Sequence, residues 1–180
     1  MKKELRKEFL NKRDNLSEDY RQTASNSIFE LLEKNSLFRE AESIFIYIGF
    51  GSEIQTENFI KKHLTTKKIF VPKIVNKEME LVHITSWDNL EAGHFNILEP
   101  ASNIFYNGPI DLVITPSIVF DKHGFRLGYG KGYYDKYFTQ NKHKTSIGLS
   151  YNKLLQENIP TESHDRKVDF IITEEGTVEC

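Results

Sequence analysis

Five short apolar runs, rich in β-branched and aromatic residues, are spread along the chain: SIFIYI (43–48), KIFVP (68–72), DLVIT (111–115), TSIGLSY (145–151) and VDFIIT (168–173). Each has the length of a strand, and three are closed by Gly49, Pro72 and Pro116. Runs with so little polar alternation are covered on both faces, the condition of a parallel sheet flanked by helices. The surrounding segments supply those helices. Over 2–16, Leu5, Phe9 and Leu16 recur on one helical face, with Lys2, Arg6 and Arg13 beside them. Ser17 is an N-cap, followed by Glu18 and Asp19 in the first turn, for a helix running to Glu33 through Tyr20, Ala24, Ile28 and Leu31. Further helices are expected over 56–64 and from Tyr133 to Phe138. ELVHI (80–84) reads as an antiparallel neighbour of 68–72, and 86–108 as a long loop with scattered Asn, Gly and Pro. The expectation is one α/β domain over 1–180: three α/β/α layers around a mainly parallel sheet, Rossmann-like but without a standard dinucleotide fingerprint.

Composition narrows the function. Lys and Arg total 24 against 26 Asp and Glu, a formal charge of -2, which disfavours a dedicated nucleic-acid binder. Thirteen Phe and eight Tyr can fill a core, so disorder is not expected. The longest apolar run is far shorter than the roughly 20 residues that span a bilayer, and the start MKKELRKEF has no apolar signal segment. The single cysteine, Cys180, excludes an intrachain disulfide. A soluble cytoplasmic protein, acting on small molecules rather than on nucleic acid or membrane and most simply a monomer, is the expectation.

The chemistry concentrates in FDKHGFRLGYGKGYYDKYF (120–138), where four of the ten glycines fall between 124 and 132. Glycines at 128, 130 and 132 let backbone N–H groups approach an anion, Arg126 and Lys131 add positive charge, and the helix from Tyr133 adds its dipole. This is not a Walker A loop, because Gly132 follows the lysine where Ser or Thr is needed. A solvated glycine-rich turn is the plain alternative. Asp135, in the first helical turn, is either a dipole-stabilising carboxylate or, with Asp165 or Asp169, a Mg²⁺ ligand. Tyr137 and Phe138 are read as core packing. Glu53, beyond the first strand, is either a cap for the next helix or a site carboxylate, with Phe50 as a stacking surface. No H-E-x-x-H and no G-x-S-x-G occurs.

The string G-x-R-L-G-x-G-x-G-Y-Y-D within 124–135, with KKELR and NKRDNLS at the start, GSEIQT after the first strand, VPK after the second and HDRKVDFIIT near the end, resembles the 5-formyltetrahydrofolate cyclo-ligases, also called 5,10-methenyltetrahydrofolate synthetases. The resemblance implies an ATP-dependent enzyme converting 5-formyltetrahydrofolate to 5,10-methenyltetrahydrofolate with release of ADP and phosphate. It implies ATP contacts from Lys2, Lys3, Arg6, Arg126, Leu127, Gly128, Tyr129, Gly130, Lys131, Gly132, Tyr133 and Tyr134, with Arg126 and Lys131 as the catalytic cations. Folate contacts fall on Ile48, Glu53 and Phe95, with Tyr129, Gly130, Lys131, Gly132 and Tyr133 shared. Asp135 and Asp165 are the implied Mg²⁺ ligands, Asp169 being the alternative to Asp165. Ser117 and Lys136 depart from the glycine and arginine that the family pattern leads one to expect. The rival readings are a phosphate-handling isomerase or transferase on a similar fold, which has no need of the basic KKELR helix, and a non-catalytic folate-binding protein.

Overall fold

The computed structural model describes residues 1–180. The chain opens with three helices, α1 (Lys2–Asp14), α2 (Glu18–Lys34) and α3 (Ser36–Glu40), then β1 (Ser43–Ile46), α4 (Glu57–His63), β2 (Lys68–Val75) and β3 (Glu78–Ile84). Two short strands follow, β4 (Leu90–Ala92) and β5 (Leu98–Pro100), before β6 (Ile110–Thr115), β7 (Val119–Phe120), β8 (Arg126–Leu127) and α5 (Tyr133–Gln140). The last strands are β9 (His143–Leu149), β10 (Phe170–Thr173) and β11 (Gly176–Glu179). The Ser17 hydroxyl accepts the Tyr20 N–H at 3.1 Å and caps α2 as its sequence position predicts.

Seven strands form one sheet in the order β11-β10-β9-β6-β1-β2-β3. The pairs β2·β1, β1·β6, β6·β9 and β9·β10 are parallel, and the two edge pairs are antiparallel. Strand alternation splits the core in two. Ile44, Ile46, Ile69, Val71, Leu112 and Ile114 pack under α2, α3 and α4, while Phe45, Phe70 and Val113 face Tyr137 of α5 on the other side. That division makes the three layers. Each of these side chains, buried almost completely, contributes about 1.5–3 kcal/mol of transfer free energy. Phe45 also stacks on Tyr134, ring centroids 5.7 Å apart and planes 7° from parallel, so the centre of the sheet pins the start of α5.

Several boundaries differ from the sequence expectation. Pro72 does not end its strand: past Phe70, β2 has left β1 and pairs with β3 alone, so a residue without an N–H is tolerated there. The expected loop 86–108 contains the β4–β5 hairpin, whose three-residue strands are too short to show alternation. α3 and the edge strand β11 were not foreseen. Helix α1 stops at Asp14, two residues earlier than expected, and packs Phe9 against Ile118, Val119 and Leu127 of the β7–β8 hairpin rather than against the sheet. No helix is long and apolar enough to cross a membrane.

Candidate functional site

The strand order reverses at β1 and β6: the chain leaves β1 toward β2 on one side, and β6 lies on the other. Connections leaving in opposite directions open a crevice at the carboxyl ends of such a pair. A cleft of about 1000 Å³ lies there, with Tyr47, Ile48 and Glu53 following β1, Pro116 and Ser117 following β6, and the Arg126–Asp135 segment along its length.

The glycine segment is built from a hairpin. Asp121, buried, accepts the N–H groups of His123 (2.9 Å), Phe125 (3.1 Å) and Ile159 (3.1 Å), which fixes the turn and launches β8. Beyond Leu127 the backbone enters Gly128–Gly132. Gly130 and Gly132 have φ of 94° and 71°, the left-handed region open to glycine at no steric cost. At Gly130 a Cβ would stand 3.4 Å from the Arg6 guanidinium carbon, an ordinary contact, so the positive φ and not the space favours glycine there. Gly132 is the N-cap of α5, and Tyr133, Tyr134 and Asp135 of its first turn line the cleft.

The cations Lys2, Arg6, Arg126 and Lys131 gather at this end with the carboxylates of Asp135, Glu162 and Asp165. Arg6 Nε donates to the Gly128 carbonyl at 2.8 Å and Lys2 Nζ to Asp165 Oδ2 at 2.8 Å; the two residues are one helical turn apart on α1. Arg126 donates to Asp135 Oδ1 (2.7 Å) and to the Arg166 carbonyl (2.6 Å), and its guanidinium lies over Phe138 at 5.2 Å. Lys131 is exposed at the tip of the loop. Burial pulls the Arg126 guanidinium down while Asp135 holds it up, and an arginine stays cationic throughout. Burial raises Asp165, but hydrogen bonds from Lys2 and the Glu162 N–H reverse this and leave it below its ordinary value.

At the other end Glu53 is 6% exposed. It caps no helix. Its Oε1 accepts the Phe50 N–H at 3.0 Å and its Oε2 faces the Tyr129 hydroxyl at 3.5 Å. Burial pushes its carboxyl up to about 7, against the opposing Phe50 N–H, Arg13 and Tyr129. Pro72, Ile74 and Met79 of the β2–β3 edge, with Ile97 and Leu98, make an apolar wall beside it. Phe50 and Tyr129 approach ring to ring at 5.7 Å.

Of the expected site residues, Lys2, Arg6, Ile48, Glu53, Phe95, Asp165 and all of 126–135 line this one cleft. Lys3 does not; it is exposed, off the face that carries Lys2 and Arg6. Leu127 is buried against α1, so it offers the cleft chiefly backbone. Asp169 also stands outside: its carboxylate accepts the Ser146 N–H at 2.9 Å and ties β9 to β10. Phe95 is 97% exposed at the tip between β4 and β5, where it and Asn96 both have positive φ, 55° and 59°. Nowhere do three or more His, Cys, Asp and Glu side chains converge as a metal cage. Two hard carboxylates on one cleft wall fit Mg²⁺ carried in with phosphates and water, and would not hold it alone.

Arg13 was misjudged. Its spacing from Phe9 and to Leu16, four and three residues, puts it on the apolar stripe rather than beside it, and it is 3% exposed. A charge on the buried face was the available signal. Ser117, the apolar wall at Pro72, Ile74 and Met79, and His94 had no such signal.

A sequence model of the 5-formyltetrahydrofolate cyclo-ligase family matches residues 1–174. A Caenorhabditis elegans protein named "Probable 5-formyltetrahydrofolate cyclo-ligase" is 30% identical over 99% of this chain and 95% of its own. The 5-formyltetrahydrofolate cyclo-ligase of Mus musculus is 28% identical over 97% and 94%. The solved structure of 5,10-methenyltetrahydrofolate synthetase from Aquifex aeolicus superposes with a TM-score of 0.88 at 31% identity, covering 99% of this chain and 92% of that one.

Proposed function

The chain belongs to the 5-formyltetrahydrofolate cyclo-ligase family, and from that membership we propose that it closes 5-formyltetrahydrofolate to 5,10-methenyltetrahydrofolate at the expense of ATP. The observation that carries this reading is a single cleft with a cationic glycine loop at one end and a buried carboxyl beside an apolar wall at the other. The first end suits a triphosphate, the second a pterin with its aminobenzoyl arm.

A formamide oxygen is a poor leaving group. In the proposed reaction it attacks the γ-phosphorus in line, the bond to the ADP oxygen breaks, and the formyl oxygen becomes a phosphate ester. Nitrogen 10 then attacks the formyl carbon and loses its proton, and inorganic phosphate departs with the carbon–oxygen bond pair. No protein nucleophile enters. The chain's work is to position the reactants and neutralise charge. Arg126 and Lys131 meet the transferring phosphoryl oxygens, the N–H groups of Gly128–Gly132 cradle the phosphates, and Lys2 and Arg6 close over them from α1. Glu53 accepts from the donor edge of the pterin, Ile48 and Phe95 border the ring and its arm, and Tyr129–Tyr133 lie between the substrates. Asp135 and Asp165 would hold Mg²⁺, which supplies neutralisation of phosphate charge when it arrives with ATP. Their partners in the fold are Arg126 and Lys2, and in the proposed complex these ion pairs give way to ones with phosphate. The engagement of α1 with the loop favours this over an isomerase, which has no use for a second basic element.

Purified protein mixed with 5-formyltetrahydrofolate, ATP and Mg²⁺ should develop methenyl absorbance. Folded protein giving no product above an enzyme-free control would overturn the reading. It takes residues 1–180 as one domain and the protein as a cytoplasmic monomer, which light scattering and cell fractionation check.

A further inference from the structure

Arg13 takes no part in the reaction outlined above, yet it is a cation buried at the back of the cleft, outside its lining. Its guanidinium spends three donors on three different segments. Nε donates to Ser52 Oγ at 2.9 Å in the turn after β1, one NH₂ group to the Ser117 carbonyl at 3.2 Å after β6, and the other to the Tyr129 hydroxyl at 2.8 Å in the glycine loop. Ser52 in turn donates to Asp14, the residue next to Arg13. The planar fork thus ties three loops that border the cleft, the turn carrying Glu53 among them, to the last turn of α1. Arg13 forms no direct ion pair with Glu53; the phenol of Tyr129 stands between them. The two residues also border one small chamber of about 20 Å³, room for a single water, with Tyr47, Ser117 and Tyr151.

We propose that Arg13 is a positioning residue for the pterin end of the reduced folate, holding the Tyr129 hydroxyl and the Ser52–Glu53 turn in one register and presenting a buried positive charge to the Glu53 carboxyl. This rests on the cyclo-ligase reading. Tyr129 is 44% exposed and lines the cleft, and the bond from Arg13 at 2.8 Å adds to the ring contact with Phe50 in fixing its side chain there. The charge matters because Glu53 must be ionised to accept two pterin donors. The groups facing it are Arg13 from α1, Tyr47 after β1, Tyr129 in the loop, Tyr134 in α5 and Tyr151 after β9. Four of the five are phenols held neutral by burial, and Arg13 is the one cation among them.

The test is steady-state kinetics of the full chain from pH 5.5 to 8.5, comparing wild type with Arg13→Lys, Arg13→Met and Tyr129→Phe. In the wild type, KM for 5-formyltetrahydrofolate should fall as pH rises through about 7. Arg13→Lys keeps a charge and loses the fork, so KM for folate should rise about tenfold with KM for ATP within about twofold. Arg13→Met should raise it further and move the pH midpoint upward, because the favourable charge is gone. Tyr129→Phe, expected to fold because only a hydroxyl is removed, should reproduce the folate effect of Arg13→Lys and keeps the test open if Arg13→Met does not fold. Equal rises in both KM values, or a fall in kcat with folate KM and midpoint unmoved, would overturn the proposal while leaving the enzyme reading intact. A wild type that neither turns over nor binds 5-formyltetrahydrofolate by calorimetry overturns the enzyme reading itself, and this inference with it.

Discussion

The two ends of the cleft hold charge in opposite ways. At the end proposed for phosphate, Asp135 and Asp165 each meet a cation directly, at 2.7 and 2.8 Å, along the wall of the cleft. At the folate end, Glu53 is buried without a direct ion pair and reaches Arg13 only across the hydroxyl of Tyr129. Charges already paired in the cleft wall can exchange those partners for the charges of an incoming ligand. A buried carboxyl has no such exchange available, so it responds to pH instead. The difference suits one end to a highly charged, transient group and the other to a neutral heterocycle recognised by hydrogen bonds.

The largest expected effect comes from removing charge at the phosphate end. Lys131→Ala and Asp135→Asn should each lower kcat by about 10²–10³-fold; the exposed Lys131 can be removed with melting temperature nearly unchanged, whereas Asp135→Asn should also lower it, because the buried Arg126 guanidinium loses its carboxylate. Full activity in either variant would remove that residue from the chemistry. Next, Glu53→Gln should raise KM for 5-formyltetrahydrofolate by about 10–100-fold with little change in KM for ATP, and should abolish its dependence on pH near 7. If both KM values rise together, the two ends are not the separate subsites described.

The same variant should show the opposite sign in stability. The folded-state carboxyl titrates at about 7 against an ordinary 4.5, so the folded protein binds more protons than the unfolded chain within that window. Stability therefore falls as pH rises from 4.5 to about 7 and levels off above. Glu53→Gln should be more stable than wild type at pH 8, by on the order of 2–3 kcal/mol, with the gain vanishing toward pH 4.5. Chemical denaturation at the two pH values checks this, and a gain equal at both would refute it. The smallest effect concerns salt. Raising ionic strength from about 0.05 to 0.5 M should weaken ATP a few-fold and the folate less, since attraction of a multiply charged ligand to cations such as the exposed Lys131 is screened, while hydrogen bonds to the buried Glu53 are not. An equal loss for both ligands would erase the contrast between the ends.

Much of the phosphate end was legible because its parts are contiguous. Arg126, the three glycines, Lys131 and Asp135 lie within ten residues, and local turn and helix-start chemistry is written in neighbouring positions. Ser17 was legible for the same reason. The end proposed for folate is assembled from turns after β1 and β6, the β2–β3 edge and the tip at Phe95, spread over 70 positions from Tyr47 to Ser117, and no local pattern announces that they meet. Arg13 shows the limit most clearly. Its place on the apolar stripe of α1 could be counted, but its three partners lie 39 to 116 residues away. Asp165 and Asp169 are four residues apart and of the same type. Only the packing of β10 on β9 turned Asp169 to Ser146 and left Asp165 at the cleft.

The amino-acid sequence by itself determined the layered α/β architecture, because strand-length apolar runs alternating with amphipathic segments have few other ways to bury their faces. It determined the cationic glycine loop, because glycine conformations and adjacent cations act over a few residues. The tertiary structure decided which charges are buried, which are paired and which stand free. Those outcomes depend on dielectric surroundings and on contacts between distant segments, and both exist only once the sheet has brought the segments together.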